Sequence, residues 1–436
     1  MRQPNSTGTS TPRTRTSSPD RTVLVVSSGD ETYRRYCLEQ VAADYRVALV
    51  LGAEPTWQRP LAADWEIADM DDPDAVVAAG RALAERHHVA GVLTWDEYQL
   101  VPTAQIARLL GLPGSAPESM RACRDKSRTR TLLREHGVGS ATSIRTGSMM
   151  EAMLAAQSIG YPVVLKPASN AGSLGVIRVD GSDELPGAFA FAVAGTQGVG
   201  SESDAVLVEE YLAGPEVSVE CVTHRGVTAA VALTRKTVGF EPYFEEIAHM
   251  VDAGDPLLTE VAPVATAAVR ALGIDTGIQH VELRLTDRGP RIIEVNGRIG
   301  GDLIGRLVLL ATGLDLPRIA ADLACGTAPD LTPTRRQAAA IRLLYPDAAG
   351  TLTHRSIDAS FARATDWIEE VRWLRNPGDP AVLPPIGDVD TARVGHILLS
   401  APTVDTAMER IALALEQISI GVDSSTEPLR TAGDAK

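Results

Sequence analysis

Residues 277–302 constrain this chain more tightly than any other stretch. G-I-Q-H-V-E-L-R-L (277–285) alternates apolar and polar residues, T-D-R-G-P (286–290) supplies a turn, and R-I-I-E-V-N-G-R-I-G-G-D (291–302) alternates back. Alternation on both sides of a short Gly-containing connection predicts an antiparallel hairpin. A turn centred on Arg288 sets Glu282 opposite Glu294 and His280 opposite Asn296. Strict alternation puts Ile292, Glu294, Asn296 and Arg298 on one face. Opposed side chains in such a pair have Cβ atoms about 5 Å apart, and like charges there repel. Something positive belongs between the two glutamates. Mg²⁺, held by one or two carboxylates together with phosphates, fits that need; a wet sheet face neutralised by Arg284 or Arg298 is the alternative.

The rest of the composition bounds the function. The 436 residues, 44% of them apolar, supply material for two to four domains or subdomains. There is no apolar run of about 18 residues, so a membrane span is not expected. The net charge of −15 argues against a general nucleic-acid binder. Four scattered cysteines (Cys37, Cys123, Cys221, Cys325) without a CxxC pair fit a reduced, cytoplasmic protein. An anionic ligand would need local cations. Among 41 basic residues the lysines are only Lys126, Lys166, Lys236 and the terminal Lys436, which marks three internal places where a compact point charge serves better than a planar fork.

Along the chain, residues 1–20 are rich in Ser, Thr and Pro and read as a disordered tail. Residues 21–114 carry strand-like runs at 22–30, 47–52 and 89–96 with helices between, a parallel α/β domain without the G-x-G-x-x-G of a dinucleotide site. Residues 115–328 mix helices with antiparallel-looking strands and hold the motifs. Residues 329–422 form a third α+β segment ending on an amphipathic helix, and 423–436 a flexible tail.

Three further motifs bear on chemistry. Y-P-V-V-L-K-P-A-S-N-A-G-S-L-G-V (161–176) ends an apolar strand on Lys166 and continues into a loop containing Ser169, Gly172, Ser173 and Gly175. Such a loop lets backbone N–H groups approach phosphate oxygens; an ordinary hairpin turn is the plainer reading. C-R-D-K-S-R-T-R-T-L-L-R-E-H-G (123–137) opens a helix with Lys126 in its first turn, against the helix dipole unless an anion joins it. Arg128, Arg130 and Arg134 there read as a solvated basic face. A-V-L-V-E-E-Y-L-A-G-P-E-V-S-V-E (205–220) reads as strand, polar connection and strand, with Glu209, Glu210 and Glu216 as exposed charges unless a nucleotide lies nearby.

Taken in order, Lys126, Lys166 with its Ser/Gly loop, V-E-E-Y-L-A-G-P-E, and Glu282 followed by E-V-N-G-R resemble the ATP-grasp superfamily, in the branch that joins biotin carboxylase and the L-amino-acid (dipeptide) ligases. The resemblance spans about residues 22–420. It implies an ATP-grasp fold: an N-terminal parallel α/β domain, the ATP-grasp domain and a C-terminal lid-like domain. It implies ATP and Mg²⁺, with Mn²⁺ suited to the same ligands. Lys126 and Lys166 would bind phosphates, Glu209 to Leu212 would contact adenine, and Glu216 the ribose. Lys236 would reach the γ-phosphate, and Glu282, Glu294 and Asn296 would ligate metal. Arg298 would stabilise the reacting centre. F-E-E-I-A-H (244–249) resembles an element of the amino-acid ligases in which Glu246 holds a substrate ammonium and His249 lines the pocket.

The activity so implied is carboxylate–amine ligation through an acyl phosphate, with ADP and phosphate released. The partners would be small acids and amines, amino acids foremost; nothing opposes a homodimer. The other readings are an enzyme of carboxylase or purine-pathway type acting on bicarbonate or another small acid, and a nucleotide-binding module without turnover. Asp302, after Gly300 and Gly301, is read as a carboxylate at the pocket edge that selects a cationic or amino-bearing substrate.

Overall fold

The computed structural model describes residues 21–196, 203 and 205–425. The expected tail 1–20, and residues 426–436 of the expected C-terminal tail, lie outside the described residues.

The N-terminal segment is a parallel sheet. Its strands are β1 (Thr22–Val26), β2 (Arg46–Leu51), β3 (Asp64–Ile67) and β4 (Val89–Leu93), in the order β3-β2-β1-β4. Central β1, T-V-L-V-V, is buried along its whole length, as a strand covered on both faces must be. The covering helices are α1 (Glu31–Ala42), α2 (Pro73–Arg86) and α3 (Leu100–Leu109). Edge strand β3, D-W-E-I, is half-exposed and acidic, and no sequence pattern announces it. Two helices, α4 (Pro117–Arg124) and α5 (Lys126–Glu135), lead onward. The Asp125 carboxylate caps α5 by accepting from the N–H groups of Ser127 and Arg128.

A second, antiparallel sheet contains β5 (Ser143–Thr146), β6 (Val163–Pro167), β7 (Ile177–Val179) and β8 (Val206–Glu210), ordered β5-β8-β6-β7. The chain then crosses, through residues 211–215, into an eight-stranded antiparallel sheet. This begins with β9 (Glu216–His224), β10 (Val227–Gly239), β11 (Glu245–Asp252), β12 (Gly277–Thr286), β13 (Gly289–Asn296) and β14 (Ala338–Leu344). Later strands are β15 (Gly350–Ile357), β16 (Ile368–Trp373), β17 (Pro380–Ala381), β18 (Gly395–Ala401) and β19 (Ile418–Asp423). The large sheet runs β13-β12-β9-β10-β11-β14-β18-β16, and β17-β15-β19 form a small one. Strand pairing therefore continues across residue 328, because β11 and β14 share a ladder. Helix Leu257–Ala271 packs its apolar face on β9, β10, β12 and β13, and helix Ile304–Thr312 packs on β11 and β14.

Candidate active site

A cleft of about 1310 Å³, counting its open mouth, lies between the four-stranded and eight-stranded sheets. Each wall follows from strand register. The β12–β13 ladder sets Glu282 opposite Glu294 and His280 opposite Asn296, as expected from the sequence. The path to that register differs from the expected one. The turn is the two-residue Asp287–Arg288 connection, since Thr286 pairs with Gly289, and a β-bulge follows between the Glu282 and Leu283 pairs. The extra residue is Ile293. Ile292 and Val295 are fully buried in the core, while Ile293 and Glu294 line the cleft. The expectation that Ile292 shares a face with Glu294 is therefore corrected: a bulge resets the alternation between them.

The opposed glutamates each hold an ammonium. Lys126 Nζ is 2.9 Å from Glu294 Oε1 and donates to the Asn170 carbonyl at 2.5 Å. Lys236 Nζ meets Glu282 at 2.7 Å, Glu246 at 2.6 Å and Glu216 at 3.5 Å. Burial opposes the charge on Lys236, but those three carboxylates outweigh it and hold the ammonium well above its ordinary range. Glu282 is held well below the usual carboxylate range: burial works against its charge, and Lys236 and His280 overcome it. Arg284 makes its pair with Glu216, at 3.0 and 2.8 Å, and Arg298 makes its own with Glu97 at 2.7 Å. Neither arginine is the neutralising partner of the opposed glutamates.

The Lys166 loop arches over the cleft. It joins antiparallel β6 and β7, so in topology it is a hairpin loop. Gly172, Ser173 and Gly175 take positive φ (67°, 58° and 74°), the conformation that exposes backbone N–H groups to an anion. Gly172 and Ser173 line the cleft. Gly175 instead packs within 3.0 Å of Pro167 and Gly195, measured from where its Cβ would stand. Ser169 is buried behind the loop with an unpartnered Oγ. Lys166 Nζ sits 2.6 Å from Glu209, and burial pulls its ammonium down from the ordinary value despite that partner.

Glu209 is not an exposed charge. It is 3% exposed and bound by Lys166 and by Arg130, whose Nε and Nη2 lie 2.9 Å from its two oxygens. Burial raises its pKa and the two cations more than reverse this, to about 2. Arg130 is likewise corrected. It does not belong to a solvated face, for it lines the cleft, 5% exposed, and donates to the Ile293 carbonyl at 2.6 Å. Glu210 lines the cleft at its rim, paired with the exposed Arg288, and Leu212 lines it beside Tyr211 and Phe244.

On β11, Glu246 and His249 face the same space. Glu246 Oε2 and His249 Nδ1 are buried, 3.8 Å apart, and neither has a hydrogen-bond partner. His249 Nε2 lies 3.1 Å from Asp302. Asp302 is gripped in turn by Arg393, from the C-terminal segment. Sequence reasoning missed Arg130, Asn170, Arg393 and Glu97: the first two lie inside motifs already singled out but carry no mark that sets them apart from their neighbours, and the last two stand outside every motif.

Of the residues expected at the site, all but Ser169, Gly175 and Asn296 line the cleft. Asn296 is 3% exposed and its Oδ1 has no hydrogen-bond partner. That orphaned acceptor and the two opposed carboxylates make an all-oxygen donor set fit for Mg²⁺. Among the described residues no three His, Cys, Asp or Glu side chains gather as a metal site.

Comparison with known proteins agrees with this geometry. Residues 159–306 match the ATP-grasp domain and residues 39–114 the ATP-grasp N-terminal domain. Protein y4rH of Sinorhizobium fredii is 30% identical over 404 residues, covering 91% of this chain and 82% of that one. Carnosine synthase 1 of Homo sapiens is 32% identical over 262 residues, 56% of this chain but only 31% of that protein. An L-amino acid ligase from Bacillus licheniformis has the same fold, with a TM-score of 0.79 at 21% identity over 93% of this chain and 100% of that one. The two-sheet cleft, its N-terminal parallel domain and these matches lead to one conclusion: the chain belongs to the ATP-grasp superfamily of ATP-dependent ligases.

Proposed function

We propose that this enzyme joins a carboxylate to an amine at the cost of ATP, through an acyl phosphate, with Mg²⁺ held by Glu282, Glu294 and Asn296. The observation that carries this is the convergence of two opposed carboxylates, three lysines and Arg298 on one cleft. When bound, Mg²⁺ supplies positive charge against the phosphate oxygens that would repel an anionic nucleophile. Lys126, Lys166 and Lys236 contribute point charges to the same end. The loop over residues 169–175 supplies N–H groups and excludes water, which would otherwise hydrolyse the activated acid. Arg298 stabilises the oxyanion formed as the amine attacks. The free Oε2 of Glu246, with His249 beside it, is a buried acceptor suited to a substrate ammonium. A carnosine synthase and an L-amino acid ligase among the relatives favour amino acids as both substrates.

The test is ADP release across a panel of acid and amine pairs. Turnover is expected only when both are supplied, and Glu294→Ala should lower it at least about 100-fold while the fold is retained. Turnover with bicarbonate and no amine would replace this reading with a carboxylase-type one. No ADP with any pair would remove it.

A further inference from the structure

Glu97 lies outside the cleft, in the N-terminal segment, on the single 3₁₀ turn Glu97–Gln99 that follows β4. It is 5% exposed, and a buried carboxylate persists only with cationic partners. It has two. Oε2 is 2.7 Å from Arg298 Nε, and Oε1 is 3.4 Å from Arg124 Nη1. Burial disfavours its charge, yet the two guanidiniums hold the carboxyl below its usual range. Arg124 is itself fixed, buried and stacked 4.8 Å from the Tyr98 ring. Arg298 Nη1 donates to the carbonyl of Ile299 at 3.0 Å. The guanidinium is thus held at two points, one on its own backbone and one on Glu97, while it lines the cleft with Glu294 and Gly301. A planar fork fixed at two points has its remaining edge aimed. Arg124 would suffice to neutralise a carboxylate whose role was to bind the segments together. Of the two arginines, the shorter contact goes instead to Arg298, which lines the cleft, and not to Arg124, which does not.

We infer that Glu97 is a positioning residue for the ligase reaction: it orients Arg298 toward the acyl centre and makes the N-terminal domain part of the catalytic apparatus. The inference rests on the ligase reading above.

A double-mutant cycle tests it, with ADP release read for wild type, Glu97→Gln, Arg298→Ala and the double variant on the most active acid and amine pair. Glu97→Gln is expected to lower kcat about 10- to 100-fold with KM for ATP within about 2-fold of wild type, and Glu97→Asp to recover part of the loss. In the Arg298→Ala background, Glu97→Gln should add less than about a 2-fold further loss, because a residue acting through another has nothing left to act on. Multiplicative losses, or a wild-type kcat in Glu97→Gln, would overturn the inference and leave the ligase reading standing. If wild type turns over no pair, the ligase reading fails. The orientation claim is then decided by crystal structures of wild type and Glu97→Gln. Displacement of the Arg298 guanidinium in the variant supports it, and an unmoved guanidinium overturns it.

Discussion

Asp302 and Arg393 stand 91 residues apart in the chain and meet in a two-point ion pair, Oδ1 to Nη1 at 2.7 Å and Oδ2 to Nη2 at 3.0 Å. Burial opposes the charge on Asp302, and Arg393 with His249 holds the carboxyl well below its usual range. Arg393 also reaches the Tyr345 hydroxyl at 3.2 Å and the Tyr33 hydroxyl at 3.5 Å. One guanidinium so ties the C-terminal segment to helix α1 and to the end of the hairpin stretch. Both carboxylate oxygens of Asp302 are engaged, which leaves it a poor receptor for a substrate cation.

Asp302→Asn should therefore act on stability rather than on substrate choice. Removing one partner of a buried pair strands the other charge, at a cost of about 3 kcal/mol. A lowered Tm with an unchanged ranking of amine substrates is expected from a melting series and a substrate panel. Selective loss of cationic substrates would restore the selector role.

Glu209 predicts a pH dependence. Its folded pKa of about 2 lies below the ordinary 4.5, so its pairing with Arg130 and Lys166 stabilises fully above pH 4.5. That stability is lost as pH falls toward 2. The size is roughly 3 kcal/mol. In denaturant melts, Glu209→Gln should be less stable than wild type at pH 7, and the gap should close between about pH 4.5 and 2. A gap independent of pH would contradict the assignment.

The Tyr98 hydroxyl donates to Asn170 Oδ1 at 3.0 Å, and the Asn170 amide donates to the Gly195 carbonyl at 2.6 Å. The Lys166 loop is thereby fastened to the N-terminal segment. Tyr98→Phe keeps the ring under Arg124 and loses only this tie. More ADP should be released per amide formed, roughly 2- to 5-fold, as water reaches the activated acid. A wild-type ratio of ADP to product would show that the tie plays no part in excluding water.

The hairpin was legible because its alternation, its turn residues and its two glutamates all constrain the same register. The parallel N-terminal sheet was legible for a similar reason: β1, β2 and β4 are continuous apolar runs. What escaped were contacts closed over long distances. Nothing local distinguishes Arg130, buried on Glu209, from Arg128 and Arg134 on the same helix. Arg393 and Glu97 acquire meaning only when segments 91 and 201 positions away fold beside them. The bulge at Ile293 was equally silent, since an apolar pair such as Ile292–Ile293 fits either a regular strand or a broken one.

That bulge has a consequence for how the site is encoded. In an unbroken strand running back from the Asp287–Arg288 turn, Glu294 would face inward beside Val281, and Val295 would face the cleft. Both carboxylates would still be written in the chain, but one would be sealed in oil. The pairing of Glu282 with Glu294 is thus held by a residue count, not by either acid's own chemistry. Parity along β13 is what decides the pairing, and the bulged residue Ile293 sets it.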